Sequence, residues 1–199
     1  MSAIRKLRKL TEEQYLAIEA EAETRSEFYN GEMFAMAGAN FSHNRIKENL
    51  STEIGIRLKG GSCQSFSSEM RVKVKVTGLY TYPDIIIVCG EPEFERLSGV
   101  DTLLNPRVII EIASKSTEGY DRGPKFKQYK RLATVKEYHI VSSDRISVDR
   151  FVRQANGKWL LTTFDKPSGK MILETVPRVR IPLADVYRGV EFPESPGLR

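Results

Sequence analysis

Two short apolar runs in this chain each carry one carboxylate, and any chemistry it performs has to start from that pair. The first reads Tyr82-Pro83-Asp84-Ile85-Ile86-Ile87-Val88, the second Arg107-Val108-Ile109-Ile110-Glu111-Ile112-Ala113. β-Branched runs of this length, bounded by turn residues, predict strands buried on both faces in the middle of a sheet. An ionised Asp or Glu in such a run is costly unless something neutralises it. If the two strands pair, Asp84 and Glu111 converge, and converging carboxylates suit a hard divalent cation such as magnesium. A strand alternates faces, so the residue sharing Glu111's face two positions on is Ala113, and no base stands there. The helix expected from about Gly123 to Ala133 offers Lys125, Lys127, Lys130 and Arg131 instead. At ~100° per residue Lys125 falls beside Phe126, Tyr129 and Leu132, on the side that packs on the sheet, while Lys127 and Arg131 point away. An ammonium buried there needs an anionic partner, which makes Lys125 the candidate catalytic lysine.

The elements that would position these groups follow from pattern. Thr11 caps a short helix with Glu12 and Glu13 in its first turn. Asn30-Gly31 marks a two-residue hairpin within Arg25–Met36. An amphipathic helix runs from about Ser42 to Lys59, with Ile46, Leu50, Ile54 and Leu58 on one stripe, and Gly60-Gly61 ends it. Ser62–Ser68 and Met70–Val76 are strand candidates. In the second, Val72, Val74 and Val76 alternate with Arg71, Lys73 and Lys75, which predicts a half-exposed strand. Gly90–Asn105 is a polar connection, partly helical. After the Lys125 helix, Glu137–Ser142 is a strand, Arg145–Thr163 a hairpin turning at Asn156-Gly157, Met171–Leu173 a further strand, and Leu183–Tyr187 a helical turn. The expected fold is α/β (α+β): one domain over residues 1–190 with a mixed sheet and an added C-terminal β-hairpin, then a disordered tail, 191–199.

Composition narrows the function classes. Of the 199 residues 40% are apolar and 29% charged, which is ordinary for a water-soluble globule. No apolar run approaches the ~20 residues that span a bilayer. Met1–Leu10 carries Arg5, Lys6, Arg8 and Lys9 but lacks the apolar core of a secretory signal. Cys63 and Cys89 are far apart in sequence and have no nearby Cys or His, so neither a zinc site nor a disulfide is expected, and a cytoplasmic location follows. The net charge of +5 fits a polyanionic partner if the charge clusters.

Pro83-Asp84, Glu111, Ser114, the run Asp121-Arg122-Gly123-x-Lys125-Phe126-x-x-Tyr129 and Glu137-Tyr138 resemble the bacterial restriction endonucleases of the Uma type. These belong to the PD-(D/E)XK nuclease superfamily. Glu27 with Asn30-Gly31-Glu32, and Ser42-His43 at the start of the long helix, extend the resemblance over Thr11 to Tyr187. The resemblance implies a restriction endonuclease-like core: a helix, three strands, a helix and a further strand, as a mixed central sheet flanked by helices. It also implies magnesium-dependent hydrolysis of phosphodiester bonds in DNA, with manganese as a substitute metal; whether RNA is also a substrate the sequence does not say. Asp84, Glu111 and the carbonyl of Ile112 would hold the metal. Lys125 would act in place of the superfamily's third-strand lysine, whose position is Ala113 here, and His43 would touch substrate or move a proton. Glu27, Glu69, Ser114 and Tyr129 are supporting candidates. Lys115, Arg122, Lys127 and Lys130 are candidate phosphate contacts, Lys115 standing where relatives often have Pro. Nucleases of this size often pair as homodimers, so that two sites address two strands.

Each sharp reading has a plainer rival. Asp84 after Pro83 fits a strand-entry residue bonded to backbone. Glu111 with Lys125 fits a structural ion pair. A basic helix face is commonly just solvated. The absence of a third-strand lysine favours a catalytically degenerate nuclease fold that binds nucleic acid or protein without cutting.

Overall fold

The computed structural model describes residues 9–36, 38–97, 99–177 and 179–192. Thr11 begins helix α1 (Glu12–Glu21): its hydroxyl accepts the Gln14 N–H and its own N–H donates to the Gln14 side chain, a complete capping box. The Asn30-Gly31 hairpin forms as expected between β1 (Ser26–Tyr29) and β2 (Glu32–Ala35), with φ of 53° and 83° at the two turn residues. Helix α2 (Phe41–Leu58) starts one residue earlier than the pattern suggests, because the Asn40 side chain accepts the His43 N–H. It buries Ile46, Leu50, Ile54 and Leu58, each contributing ~1.5–3 kcal/mol. Next come β3 (Cys63–Ser67), β4 (Arg71–Val74), β5 (Leu79–Thr81), β6 (Ile85–Cys89), β7 (Phe94–Leu97), β8 (Val100–Leu103) and β9 (Val108–Ala113). Helix α3 (Glu118–Tyr120), a π-helical turn over Asp121–Lys125 and α4 (Phe126–Tyr129) lead to β10 (Glu137–Ser142). The chain closes with β11 (Val148–Arg153), β12 (Trp159–Phe164), β13 (Lys170–Ile172), β14 (Arg180–Pro182) and α5 (Leu183–Val186).

The central sheet runs β12-β11-β10-β9-β6-β3 and is mixed: β9 and β10 are parallel, the other pairs antiparallel. Alternation along β6 and β9 divides its core. Ile85, Ile87, Val108, Ile110 and Ile112 pack with α2 and the C-terminal segment, whereas Ile86, Val88 and Ile109 pack with Phe126, Tyr129 and Tyr138. A second sheet, ordered β2-β1-β5-β4-β8-β7, carries α1 through Tyr15, which stacks on Phe28 and meets the Tyr80 ring at a tilt.

Four expectations are corrected. The Gly90–Asn105 connection contains the β7–β8 hairpin and, among the described residues, no helix. Strand β4 is buried along its whole length, because β5 and β8 flank it and its bases find partners. Arg71 bonds Thr102 Oγ1 at 2.8 Å, and Lys73 bonds Glu12 and Glu95 at 2.8 and 3.1 Å. The helix read over residues 123–133 is broken into short turns around Pro124, which has no N–H to give and whose ring clashes with a regular α-turn. Cys63 and Cys89 form a disulfide, because antiparallel pairing of β3 with β6 sets them directly opposite each other. Separation in sequence says nothing about that register, and unpaired cysteines no longer support a cytoplasmic location. Of the tail, residues 193–199 lie outside the described residues, and Phe192 packs edge-on against Tyr187 at 5.6 Å.

One buried carboxylate ties the central sheet to the C-terminal segment. Glu137 at the start of β10 bonds His139 Nε2 at 2.8 Å and accepts the N–H groups of Glu174 and Thr175 at 3.0 and 2.8 Å. Burial pushes its carboxyl up, but the His139 ring and the two amides outweigh burial and hold it below the usual value of 4.5. A carboxyl depressed by folding stabilises the protein above its unfolded pKa, and that contribution is lost as pH falls through the folded value. Glu137→Gln should therefore lower the unfolding free energy by about 1–3 kcal/mol at pH 7. It should also flatten the acid limb below about pH 4.5, as read by urea titrations across pH.

Candidate functional site

Strand β9 delivers Glu111 to the face occupied by Phe126, Tyr129 and Tyr138. Asp84 stands one residue before β6, and its Oδ2 accepts the Ile112 N–H at 2.7 Å, so its carboxylate rests against β9 beside Glu111. The ladder between β6 and β9 ends at the Ile85–Ile110 pair. A strand residue projects N–H and C=O from the same edge, so the Ile112 carbonyl also faces Asp84's side, beyond the end of the ladder.

Lys125 completes the cluster. The π-turn sets its buried ammonium 3.0 Å from Glu111 Oε1, 3.0 Å from Glu27 Oε1 and 3.8 Å from Asp121 Oδ1. Single π-turns inside helices are frequent at functional sites. The Tyr129 hydroxyl donates to Glu111 Oε1 at 2.7 Å. Thr81 donates to Glu27 Oε1, and Tyr120 to Glu27 Oε2 at 3.2 Å. His43, in the first turn of α2, meets Asp84 Oδ1 through Nε2 at 2.9 Å.

Charge is unbalanced in this cluster. Glu27, Asp84, Glu111 and Asp121 are all buried, and Lys125 is the one ammonium among them within the described residues. Burial pushes the Glu111 carboxyl up to about 8; Lys125 pulls it down, while Asp121 and Asp84 add to the rise. Burial likewise raises Asp121. Burial disfavours the charged form of Lys125, but Glu111, Glu27 and Asp121 more than offset this and hold it protonated well above the ordinary lysine range. An excess of buried carboxylate over ammonium energetically favours a further positive charge, which a proton or a cation can supply.

The donor set fits a hard divalent cation. Two carboxylates and a strand carbonyl are all oxygen, and magnesium is commonly held by one or two carboxylates while keeping several waters. Among the described residues no three His, Cys, Asp or Glu side chains are arranged to hold an ion by themselves, so water would complete the shell.

Asp84, Glu111, Lys125, His43, Glu27 and Tyr129 are thus brought together. The others stand apart. Glu69 pairs with Arg25 at 3.2 Å and is largely exposed. Ser114 bonds Ser116 at 2.8 Å in the turn after β9, and Lys115 is exposed beside it. Arg122 is engaged by Glu118 and Asp149. Lys127 is exposed, and Lys130 lies over the Phe126 ring at 4.7 Å. Asp121 and the hydroxyls of Thr81 and Tyr120 have no role in the sequence reading. The four-residue spacing of Asp121 and Lys125 is the signal that finds Asp121, since residues i and i+4 share a helix face. Nothing local marks Thr81 or Tyr120.

Comparison with known proteins identifies the fold and the family. A crystal structure described as a putative nuclease belonging to DUF820, from Anabaena variabilis ATCC 29413, superposes with a TM-score of 0.67 at 17% identity, over 84% of this chain and 92% of that one. The shared fold is the restriction endonuclease-like one. Two proteins of Synechocystis sp. described as uncharacterised are 30% and 33% identical to this chain. The first match covers 92% of this chain and 94% of the relative, the second 77% and 86%. The family model described as "Uma2: Putative restriction endonuclease" matches residues 12–184, a span that holds every member of the carboxylate cluster and the lysine between them. By that match, this chain belongs to the Uma2 family.

Proposed function

We propose that this protein is a magnesium-dependent endonuclease that hydrolyses phosphodiester bonds in DNA, with manganese as a substitute metal and RNA as a second substrate to be tested. The observation that carries this reading is the buried excess of carboxylate over ammonium where β6 and β9 end. Asp84, Glu111 and the Ile112 carbonyl are the residues that would hold the ion. When bound, a divalent cation supplies electrophilic activation at the phosphate and neutralises developing charge. Lys125 donates to the oxygens that gain negative charge as the bond breaks, from a position fixed beforehand by Glu27 and Asp121. His43, oriented by Asp84, exchanges a proton with the attacking water or the leaving oxygen. Tyr129 keeps Glu111 aimed. Glu69 and Ser114, outside the cluster, are at most outer supports, and Lys115, Lys127 and Lys130 are phosphate contacts.

The test is nicking of supercoiled plasmid with magnesium. Cleavage should require the metal, stop with a chelator and return when the ion is restored. Cleavage that persists unchanged in chelator would sink the metal-dependent reading.

One observation favours a second reading. Ala113 occupies the superfamily's lysine position and Lys125 is held between carboxylates, as a structural ion pair would be. In that reading the fold binds nucleic acid or a partner protein without cutting. Calorimetry decides: no magnesium binding, together with tight DNA binding, selects it. A homodimer is part of the proposal, with the outer edge of β12, where Leu160 and Leu161 are exposed, as the surface for pairing. Among the described residues no helix is long and apolar enough to cross a membrane.

A further inference from the structure

The β1–β2 hairpin has two unlike faces. One packs Phe28 and Met33 against Tyr15 and Tyr80. Directly paired residues of an antiparallel ladder point to the same side, and here Glu27 faces Phe34 and Tyr29 faces Glu32. The second face therefore carries Tyr29, Glu27 and Phe34, and Met36 continues it past the end of β2, its N–H donating to the Arg25 carbonyl at 3.0 Å. Tyr120 adjoins it, its hydroxyl fixed on Glu27. Four apolar or aromatic side chains here remain open to solvent: Tyr29 at 39%, Phe34 at 48%, Met36 at 37% and Tyr120 at 45%. They flank the one glutamate of the hairpin that reaches Lys125.

The Met36 end of this surface carries one cation paired with a carboxylate and, among the described residues, one without such a partner. Arg25 lies there, and Glu69, its partner, follows Ser68, whose hydroxyl accepts from Lys47 Nζ at 3.2 Å. Lys47 is one helical turn after His43, and among the described residues no carboxylate lies within 4.0 Å of its ammonium. A cation held only by a neutral hydroxyl, beside a row of exposed rings that leads into a phosphodiester-cleaving cluster, matches a chain with both π-faces and phosphates. Stacked bases inside a duplex do not offer their faces to side chains, whereas unpaired ones do.

We infer that the outer face of the β1–β2 hairpin, with Tyr120, is a stacking platform for unpaired bases, and that Lys47 holds the adjoining phosphate. The preferred substrate is then a single-stranded stretch of nucleic acid. This inference rests on the proposed nuclease function for the direction in which the strand leads, but its test reads binding and not cutting. The platform runs about 13 Å along β2 and its continuation at ~3.3 Å per residue. Glu27 is turned inward onto Lys125 and Glu32 lies at the turn end, so the charge left for a ligand at the Met36 end is the Lys47 ammonium, which a phosphate matches.

The experiment is fluorescence anisotropy of a labelled oligothymidylate and of a mixed-sequence duplex of equal length, with the full chain in chelator so that nothing is cut. The oligothymidylate should bind at least tenfold tighter than the duplex. Phe34→Ala and Tyr120→Leu should each weaken oligothymidylate binding about tenfold, Tyr120→Phe should keep it within about twofold, and Lys47→Met should weaken it and flatten its salt dependence. Phe34 is exposed, so its loss leaves the core intact, and circular dichroism verifies that. Equal affinity for the two probes, or wild-type affinity in Phe34→Ala, overturns the platform. So does light scattering in which Phe34→Ala splits a dimer, since a second copy then covers this face. If the platform binds single strands but plasmid is never nicked, hydrolysis fails and the platform stands. If plasmid is nicked without single-strand preference, the platform fails and hydrolysis stands.

Discussion

Asp84→Asn is expected to reduce magnesium-dependent nicking of plasmid about 10²–10³-fold while leaving the fold in place. The asparagine keeps the shape of the side chain. Its carbonyl can still accept the Ile112 N–H, and its amide can still meet the His43 ring, so the two bonds that Asp84 makes in the folded protein survive. What disappears is one unit of negative charge at the mouth of the cluster, where the cation would sit. Stability should move by less than about 1 kcal/mol, within the range of substitutions that strand no buried group. Magnesium binding by calorimetry should weaken in step with the activity. This combination separates a metal ligand from a strand-entry residue. If Asp84 only tethers β6 to β9, the asparagine does the same work, and cleavage and metal affinity both stay at the wild-type level. That outcome would remove Asp84 from the chemistry.

How far the sequence alone reached can be judged from these residues. Asp84, Glu111 and Lys125 are legible because each breaks a strong local pattern: an acid inside a β-branched run, or a lysine on the apolar side of a helix. The same holds for Thr11, Asn30-Gly31 and the stripe of α2, where local chemistry and final structure agree. Arg71 and Lys73 show the limit. Their alternation with Val72 and Val74 is that of a half-exposed strand, yet both are buried, because Thr102, Glu12 and Glu95 arrive from distant parts of the chain to satisfy them. Cys63 and Cys89 fail for a related reason: only the register of β3 on β6 makes them neighbours. The π-turn is hidden as well, since a helical pattern with Gly123-Pro124 inside reads as a helix that starts late. It nonetheless shapes the site, since it sets the Lys125 ammonium 3.0 Å from Glu111 and Glu27. Partners that are long-range and polar are therefore what pattern misses, whereas groups that violate a pattern are what it finds.

The same reasoning sets the expected result for Lys125→Met, the substitution that should hurt most. Methionine fills the space of the stem but leaves Glu27, Glu111 and Asp121 buried together with no ammonium between them. Removing one partner of a buried ion pair typically costs about 3–5 kcal/mol. The loss should depend on pH with a definite sign. Burial already raises Glu111 with Lys125 pulling it down, so deleting Lys125 raises it further. A carboxyl raised by folding binds more protons folded than unfolded, so stability falls as pH climbs above the unfolded value near 4.5. Wild type already holds Glu111 at about 8, so the two proteins should lose stability in parallel up to about pH 8, and the variant should fall further behind above it, as read by thermal melts in chelator. Nicking should fall about 10²–10³-fold where the variant is still folded. The double variant Glu111→Gln with Lys125→Met separates the two roles of the pair. It removes both buried charges, so the two stability losses should not add, and much of the loss from Lys125→Met should be recovered. Cleavage should not return with it. If it does, the pair holds the sheet together and nothing more, and the chemistry lies elsewhere in the cluster.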